Sequence, residues 1–154
     1  MPASVSAAAN YRIGVISDTH DRWIPRVADL FRGVDEIWHL GDVCQEPILD
    51  VLRAINPKLS VVLGNNDFAL DYPESLQLER AGESFHLVHI LPRRPAPPGW
   101  LLFGHTHRPL DERHHGVHLF NPGSAGRANK GAPLSVGFLI REKGKPFRAE
   151  TVLL

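Results

Sequence analysis

The first seventy residues constrain this chain most: three short apolar runs, each ending abruptly in a polar block, alternate with two helical stretches. The runs occupy residues 12–17, 35–40 and 59–63 and have the length and composition of strands. Between the first two, Ile24, Val27, Ala28, Leu30 and Phe31 recur at helical spacing. Pro25 stands where a first turn tolerates it, and Gly33 closes the helix. Residues 47–55 form a second amphipathic helix, opened by Pro47 and stopped by Asn56-Pro57. Strands and helices alternating at this spacing predict a parallel sheet with right-handed crossovers. Such sheets carry their functional groups just beyond the carboxyl ends of the strands.

The second half leans towards β structure. Residues 76–80 and 85–89 flank a turn at Ala81-Gly82-Glu83-Ser84, and residues 100–103, 117–120, 135–141 and 147–153 read as further strands. Residues 91–99 hold Pro92, Pro95, Pro97 and Pro98 and cannot be helical, so a bare, stiff connection is expected there. With 154 residues and no visible boundary, residues 11–154 read as one domain, preceded by a disordered tail at residues 1–10.

Composition excludes several classes. Seventeen basic residues balance seventeen acidic ones, which argues against stable nucleic-acid binding by phosphate neutralisation, although a nucleic-acid substrate stays open. The single cysteine, Cys44, rules out an internal disulfide framework and an all-cysteine zinc site. No stretch approaches the ~18–20 apolar residues of a membrane helix, and the expected setting is the reducing cytoplasm.

The polar blocks, in order, are Asp18-x-His20, Gly41-Asp42, Gly64-Asn65-Asn66-Asp67, His89 and Gly104-His105-Thr106-His107. Each alone is ordinary: Gly-Asp and Gly-Asn pairs form turns, and a lone strand histidine is usually a core residue. Gly-His-Thr-His is stronger, because His105 and His107 project to one side of an extended segment. Together, Asp18, His20, Asp42, Asn65, His89, His105 and His107 offer seven oxygen and nitrogen donors that one sheet edge can gather. That set suits Mn²⁺, Fe²⁺ or Zn²⁺. It is too large for one ion with open positions and fits two ions sharing a carboxylate ~3.5–4 Å apart.

These blocks resemble those of the calcineurin-like metallophosphoesterases, and Asn121-Pro122-Gly123-Ser124 resembles a further block of their small phosphodiesterase branch. The likeness runs from Arg12 to the end. It implies an α/β fold, a four-layer αββα sandwich of two mixed sheets. It also implies a first metal on Asp18, His20 and His107, Asp42 as bridge, and a second metal on Asn65, His89 and His105. The two divalent ions, Mn²⁺ before Fe²⁺ or Zn²⁺, would carry a bridging hydroxide that attacks a phosphoester in line. The backbone around Asn66, with Arg108 or Arg127, would orient the phosphate, and Asp42, Asn65, Asn66 and His105 form the catalytic set. The implied partner is a small phosphoester, and exposed edges of the second sheet allow homo-oligomers.

Two departures matter. Asn66 stands where larger relatives carry a proton-donating histidine, which predicts a preference for good leaving groups. After His89 the family's glycine and helix are replaced by Ile90 and the proline-rich stretch. The alternative reading is a metal-binding scaffold for protein partners, like the related eukaryotic sorting-complex subunit; the complete ligand set argues against it. Among the other histidines, His39 reads as a core residue, His86 as hydrogen-bonded or exposed, and His114, His115 and His118 as a solvated loop. Cys44 reads as a small wall residue, and Trp23, Trp38 and Trp100 as packing anchors.

Overall fold

The computed structural model describes residues 9–94, 96–128 and 131–154. Strands β1 (Tyr11–Ile16), β2 (Glu36–His39) and β3 (Leu59–Val61) alternate with helices α1 (Arg26–Leu30) and α2 (Glu46–Ile55). Then come β4 (Ser75–Arg80), β5 (Glu83–Val88), β6 (Gly99–Leu102), β7 (Leu110–His114), β8 (Val117–Asn121), β9 (Ser135–Arg141) and β10 (Arg148–Leu153). The first sheet has the order β10-β9-β1-β2-β3 and the second β4-β5-β6-β8-β7. Strands β1, β2 and β3 run parallel, as do β5, β6 and β8, while β9, β10, β4 and β7 join by antiparallel pairing.

Side-chain alternation along the strands splits the core in two. Ile13, Val15 and Trp38 face the second sheet and pack on Phe85, Trp100 and Phe120. Their neighbours Ile16 and Ile37 point the other way, onto Phe31 of the α1 turn and Leu49 and Leu52 of α2. Phe31 lies flat on Gly14, where a Cβ would approach its ring to 2.9 Å. Phe85 sits between the sheets, edge-on to Trp38 and Phe147 and stacked on Trp100. The expected sandwich of two mixed sheets is thus present, with both described helices on the first sheet. The connection from β5 to β6 is the bare loop that its prolines dictate; Pro95 lies outside the described residues.

Some element bounds differ from expectation for local reasons. Helix α1 starts at Arg26, not Ile24, because the residue before a proline is kept out of the helical region and Pro25 occupies the cap. Strand β7 carries the sequence LDERH, whose exposed charges hide it from any alternation test; charge on an edge strand discourages pairing with other chains. The loop expected around His114, His115 and His118 is therefore corrected. His114 ends β7, His115 and Gly116 form a turn at positive φ, and His118 on β8 stacks on Trp100 at 3.7 Å and pairs with Asp111. Of the expected tail, residues 1–8 lie outside the described set, but Ala9 and Asn10 are tied down. Arg141 donates to the Ala9 carbonyl at 2.7 Å, and the Lys143 N–H donates to Asn10 Oδ1 at 2.6 Å. No helix among the described residues is long and apolar enough to cross a membrane.

Candidate metal centre

The carboxyl ends of β1, β2, β3, β5, β6 and β8 meet at one edge of the sandwich, and every polar block of the sequence stands there. The loops are stitched together by backbone bonds: Asp18 N–H to the Gly41 carbonyl (2.9 Å), His20 N–H to Asp42 (2.9 Å) and Gly104 N–H to His89 (3.0 Å). Gly64 and Gly104 permit this closeness; a side chain at the first would overlap Asp42, and at the second Ser17 and Asp18. Nine described non-glycine residues have positive φ, and five are predicted ligands: Asp18, His20, Asp42, His105 and His107. Each such conformation costs an L-residue about 1–2 kcal/mol, so the loops hold these side chains against local preference.

Two groups of ligand atoms result, each with all members within 4.8 Å of one another: Asp18, His20 and His107, and Asp18, Asp42 and His89. Asp18 Oδ1 lies 3.3 Å from His107 Nε2, 3.7 Å from His20 Nε2 and 3.8 Å from His89 Nε2. Asp42 Oδ2 lies 3.5 Å from His20 Nε2 and 3.4 Å from His89 Nε2, so it reaches both groups. The sharing expected of Asp42 alone thus falls on two carboxylates. His105 and Asn65 stand beside the second group. The His105 ring is 5.3 Å from that of His89, and its Nδ1 is 3.1 Å from Asn65 Oδ1.

Asp18 is fully buried; its Oδ2 accepts from Ser17 Oγ (2.7 Å) and the His105 N–H (3.0 Å), but its Oδ1 has no partner. His89 is 3% exposed. Its Nδ1–H donates to the Leu40 carbonyl at 2.7 Å, leaving Nε2 as a lone pair without a partner. Two buried lone pairs facing each other repel unless a cation lies between them, and burial without a partner is costly. A histidine whose far nitrogen is fixed on a carbonyl is also the usual state of a metal ligand. The donor set therefore fits divalent ions.

The charges agree. Burial alone would raise the Asp18 pKa, but the His107 and His20 imidazoles, 3.3 and 3.7 Å from its Oδ1, hold it well below the carboxylate range. Burial likewise opposes the ionised form of Asp42, yet His89 and Asn66 bring it down to about 2. Asp18 raises the pKa of His107. Burial works to lower that of His89, and Asp42 and Asp18 outweigh it, so the net shift is upward. The site is poised to accept positive charge.

Several neighbours escaped the sequence reading. Asn66 was expected to meet a phosphate, but its N–H donates to Asp42 Oδ1 and its side-chain amide to Asp42 Oδ2, both at 2.9 Å, so it fixes that carboxylate. The Asp67 carboxylate accepts the N–H groups of Asp42 (2.8 Å), Cys44 (2.7 Å) and Gly64 (2.7 Å), clamping two ligand loops together. Ser124 Oγ donates to the Asp18 carbonyl at 2.9 Å, and Asn121 Nδ2 to the Gly104 carbonyl at 3.0 Å, which gives the Asn-Pro-Gly-Ser block its task. Only adjacency to the motifs could have signalled these roles. Arg108 and Arg127 are exposed. Burial pushes the Cys44 thiol up to about 11, so it is no thiolate nucleophile near neutrality. A cavity of about 630 Å³ at the opposite end of the second sheet is lined by none of the seven donors.

The calcineurin-like phosphoesterase superfamily domain matches residues 11–144. A probable metallophosphoesterase of Methanocaldococcus jannaschii, MJ0623, is 37% identical over 130 residues, covering 73% of this chain and 67% of that protein. The chain belongs to the calcineurin-like phosphoesterase superfamily. Its fold matches an archaeal phosphodiesterase at TM-score 0.75 and 21% identity, covering 92% of this chain and 99% of the other. It matches Vacuolar Protein Sorting 29 of Cryptosporidium parvum as well, at TM-score 0.74 and 19% identity, covering 94% and 99%. Fold alone does not separate these two, so function has to be argued from the site.

Proposed function

We propose that this chain hydrolyses phosphodiesters at two divalent ions, Mn²⁺ before Fe²⁺ or Zn²⁺. Asp18, His20 and His107 would hold one ion, and His89, Asn65 and His105 the other, with Asp42 reaching both. The observation that carries this reading is the pair of buried, unpartnered lone pairs on Asp18 Oδ1 and His89 Nε2. When bound, such ions lower the pKa of water towards neutrality and polarise phosphoryl oxygens.

The protein's part is placement. Leu40 fixes the His89 tautomer, Asn66 fixes both oxygens of Asp42, and Ser17 turns Asp18 so that Oδ1 faces the three imidazoles. The gathered side chains are acids, amides and imidazoles and bring no fixed positive charge. That suits the single negative charge of a diester better than the double charge of a monoester. Asn66 cannot donate a proton to a departing alkoxide, so aryl esters, which leave as stable anions, should turn over faster than alkyl ones.

The test is hydrolysis of bis(4-nitrophenyl) phosphate by chelated protein resupplied with each metal, alongside Asp42→Ala. The variant should lose on the order of a thousandfold in rate, about 4 kcal/mol of transition-state stabilisation. Full activity in Asp42→Ala would remove that residue from the site. No activity with any metal, and no stoichiometric metal, would favour the scaffold reading.

A further inference from the structure

A groove of about 570 Å³ opens directly beside the centre, and Asn65 and His89 line it together with Leu63, Val88, Phe68 and Ile90. Phe68 is 89% exposed and Ile90 51%, both unusual for large apolar side chains. Neither hangs on a loose segment. Phe68 follows Asp67, whose carboxylate is held by three backbone N–H groups, and Ile90 follows His89, whose ring is held on the Leu40 carbonyl. Besides Asn65 and His89, the groove's polar lining is the exposed Glu74 and Ser75 and the buried Asp67, and it includes no Lys or Arg. An apolar trough with an acidic rim repels an anionic group and accepts a neutral flat one, and its size is that of a small-molecule subsite.

We infer that this groove binds the non-leaving arm of the diester, that the arm is a neutral aromatic group such as a nucleobase or aryl ring, and that Phe68 stacks on it. This rests on the phosphodiesterase reading. The two arms of a diester are distinguished by charge: the leaving arm becomes an anion, which the exposed Glu74 disfavours, whereas the retained arm stays neutral. Continuity with Asn65 and His89 places phosphorus at one end of the groove and the aromatic ring along the wall formed by Phe68 and Ile90.

The experiment compares two diesters with the same 4-nitrophenyl leaving group, one bearing a phenyl and the other a methyl arm, on the Mn²⁺-reconstituted full chain. The ratio of their kcat/KM values should fall about tenfold in Phe68→Ala, mostly through KM, the size of loss that removing a stacking aromatic produces. Phe68→Trp should keep the ratio. Comparing ratios between proteins cancels the intrinsic reactivity of the esters. An unchanged ratio in Phe68→Ala, or a dimer that forms through Phe68 while the ratio stays put, would overturn the inference. If neither ester turns over with any metal, the phosphodiesterase reading fails. The groove is then tested by calorimetry with phenylphosphonate and methylphosphonate: weaker phenylphosphonate binding in Phe68→Ala supports it, and equal binding overturns it.

Discussion

Two buried carboxylates at opposite ends of the same parallel strands are treated in opposite ways. Glu36, at the start of β2, is fully buried and fully answered. Arg80 grips it through Nε (2.7 Å) and Nη2 (3.0 Å), the Tyr11 hydroxyl donates at 2.6 Å, and the Trp38 indole at 2.7 Å. Asp18, beyond the end of β1, is equally buried but keeps one oxygen bare, aimed at three imidazoles. The histidines repeat the contrast. His39 accepts the Gly41 N–H on Nδ1 and meets Thr19 Oγ1 through Nε2, each at 3.1 Å, whereas His89 has one nitrogen unanswered. Where the chain supplies its own cation the charge is framework; where it aims lone pairs at a shared space, the cation must come from outside.

The sharpest break in that comparison is Arg80→Met, which strips the buried Glu36 of its two-pronged guanidinium and leaves only Lys58, 3.7 Å away, as a cation. It should cost about 3–5 kcal/mol in urea unfolding of the chelated protein while leaving metal stoichiometry intact. A loss below about 1 kcal/mol would put Glu36 in the same class as Asp18. Next in size is the effect of the missing cation itself. Metal at 100–1,000 times its Kd should stabilise the fold by about 2.7–4.1 kcal/mol, read as a rise in Tm. Asp18→Asn should abolish that rise, and Arg80→Met should keep it.

The smallest effect concerns the satisfied histidine. Burial lowers the His39 pKa to about 3, against ~6.5 in the unfolded chain. Below pH 6.5 the unfolded chain takes up a proton that the folded one refuses, so this contribution to stability falls as pH drops from about 6.5 towards 3. Between pH 7 and 5 the metal-free wild type should lose about 2 kcal/mol more than His39→Gln. Equal losses would contradict the assignment of His39 as a neutral framework group.

Much of this was legible in the sequence. The three parallel strands announced themselves because each is a short apolar run that stops at a glycine or an acid. The gathering of Asp18, His20, Asp42, His89 and His107 was legible for the same reason, since strand ends need no knowledge of packing. Strand β7 was not, because Asp111, Glu112 and Arg113 are exposed edge residues with no apolar partner to mark a face. The tasks of Asn66, Asp67 and Ser124 were hidden too. They depend on loops that meet across 24, 25 and 106 residues of chain, and no local pattern encodes such a meeting. The sharing of Asp18 between both ligand groups has the same origin.

Anomalous diffraction from crystals of the chelated protein soaked in Mn²⁺ tests the central claim most directly. Two peaks about 3.5–4 Å apart should appear, both in contact with carboxylate oxygens of Asp18 or Asp42 and one against His89 Nε2. A cradle that stays empty at saturating Mn²⁺, or density only on exposed acids elsewhere, would contradict it.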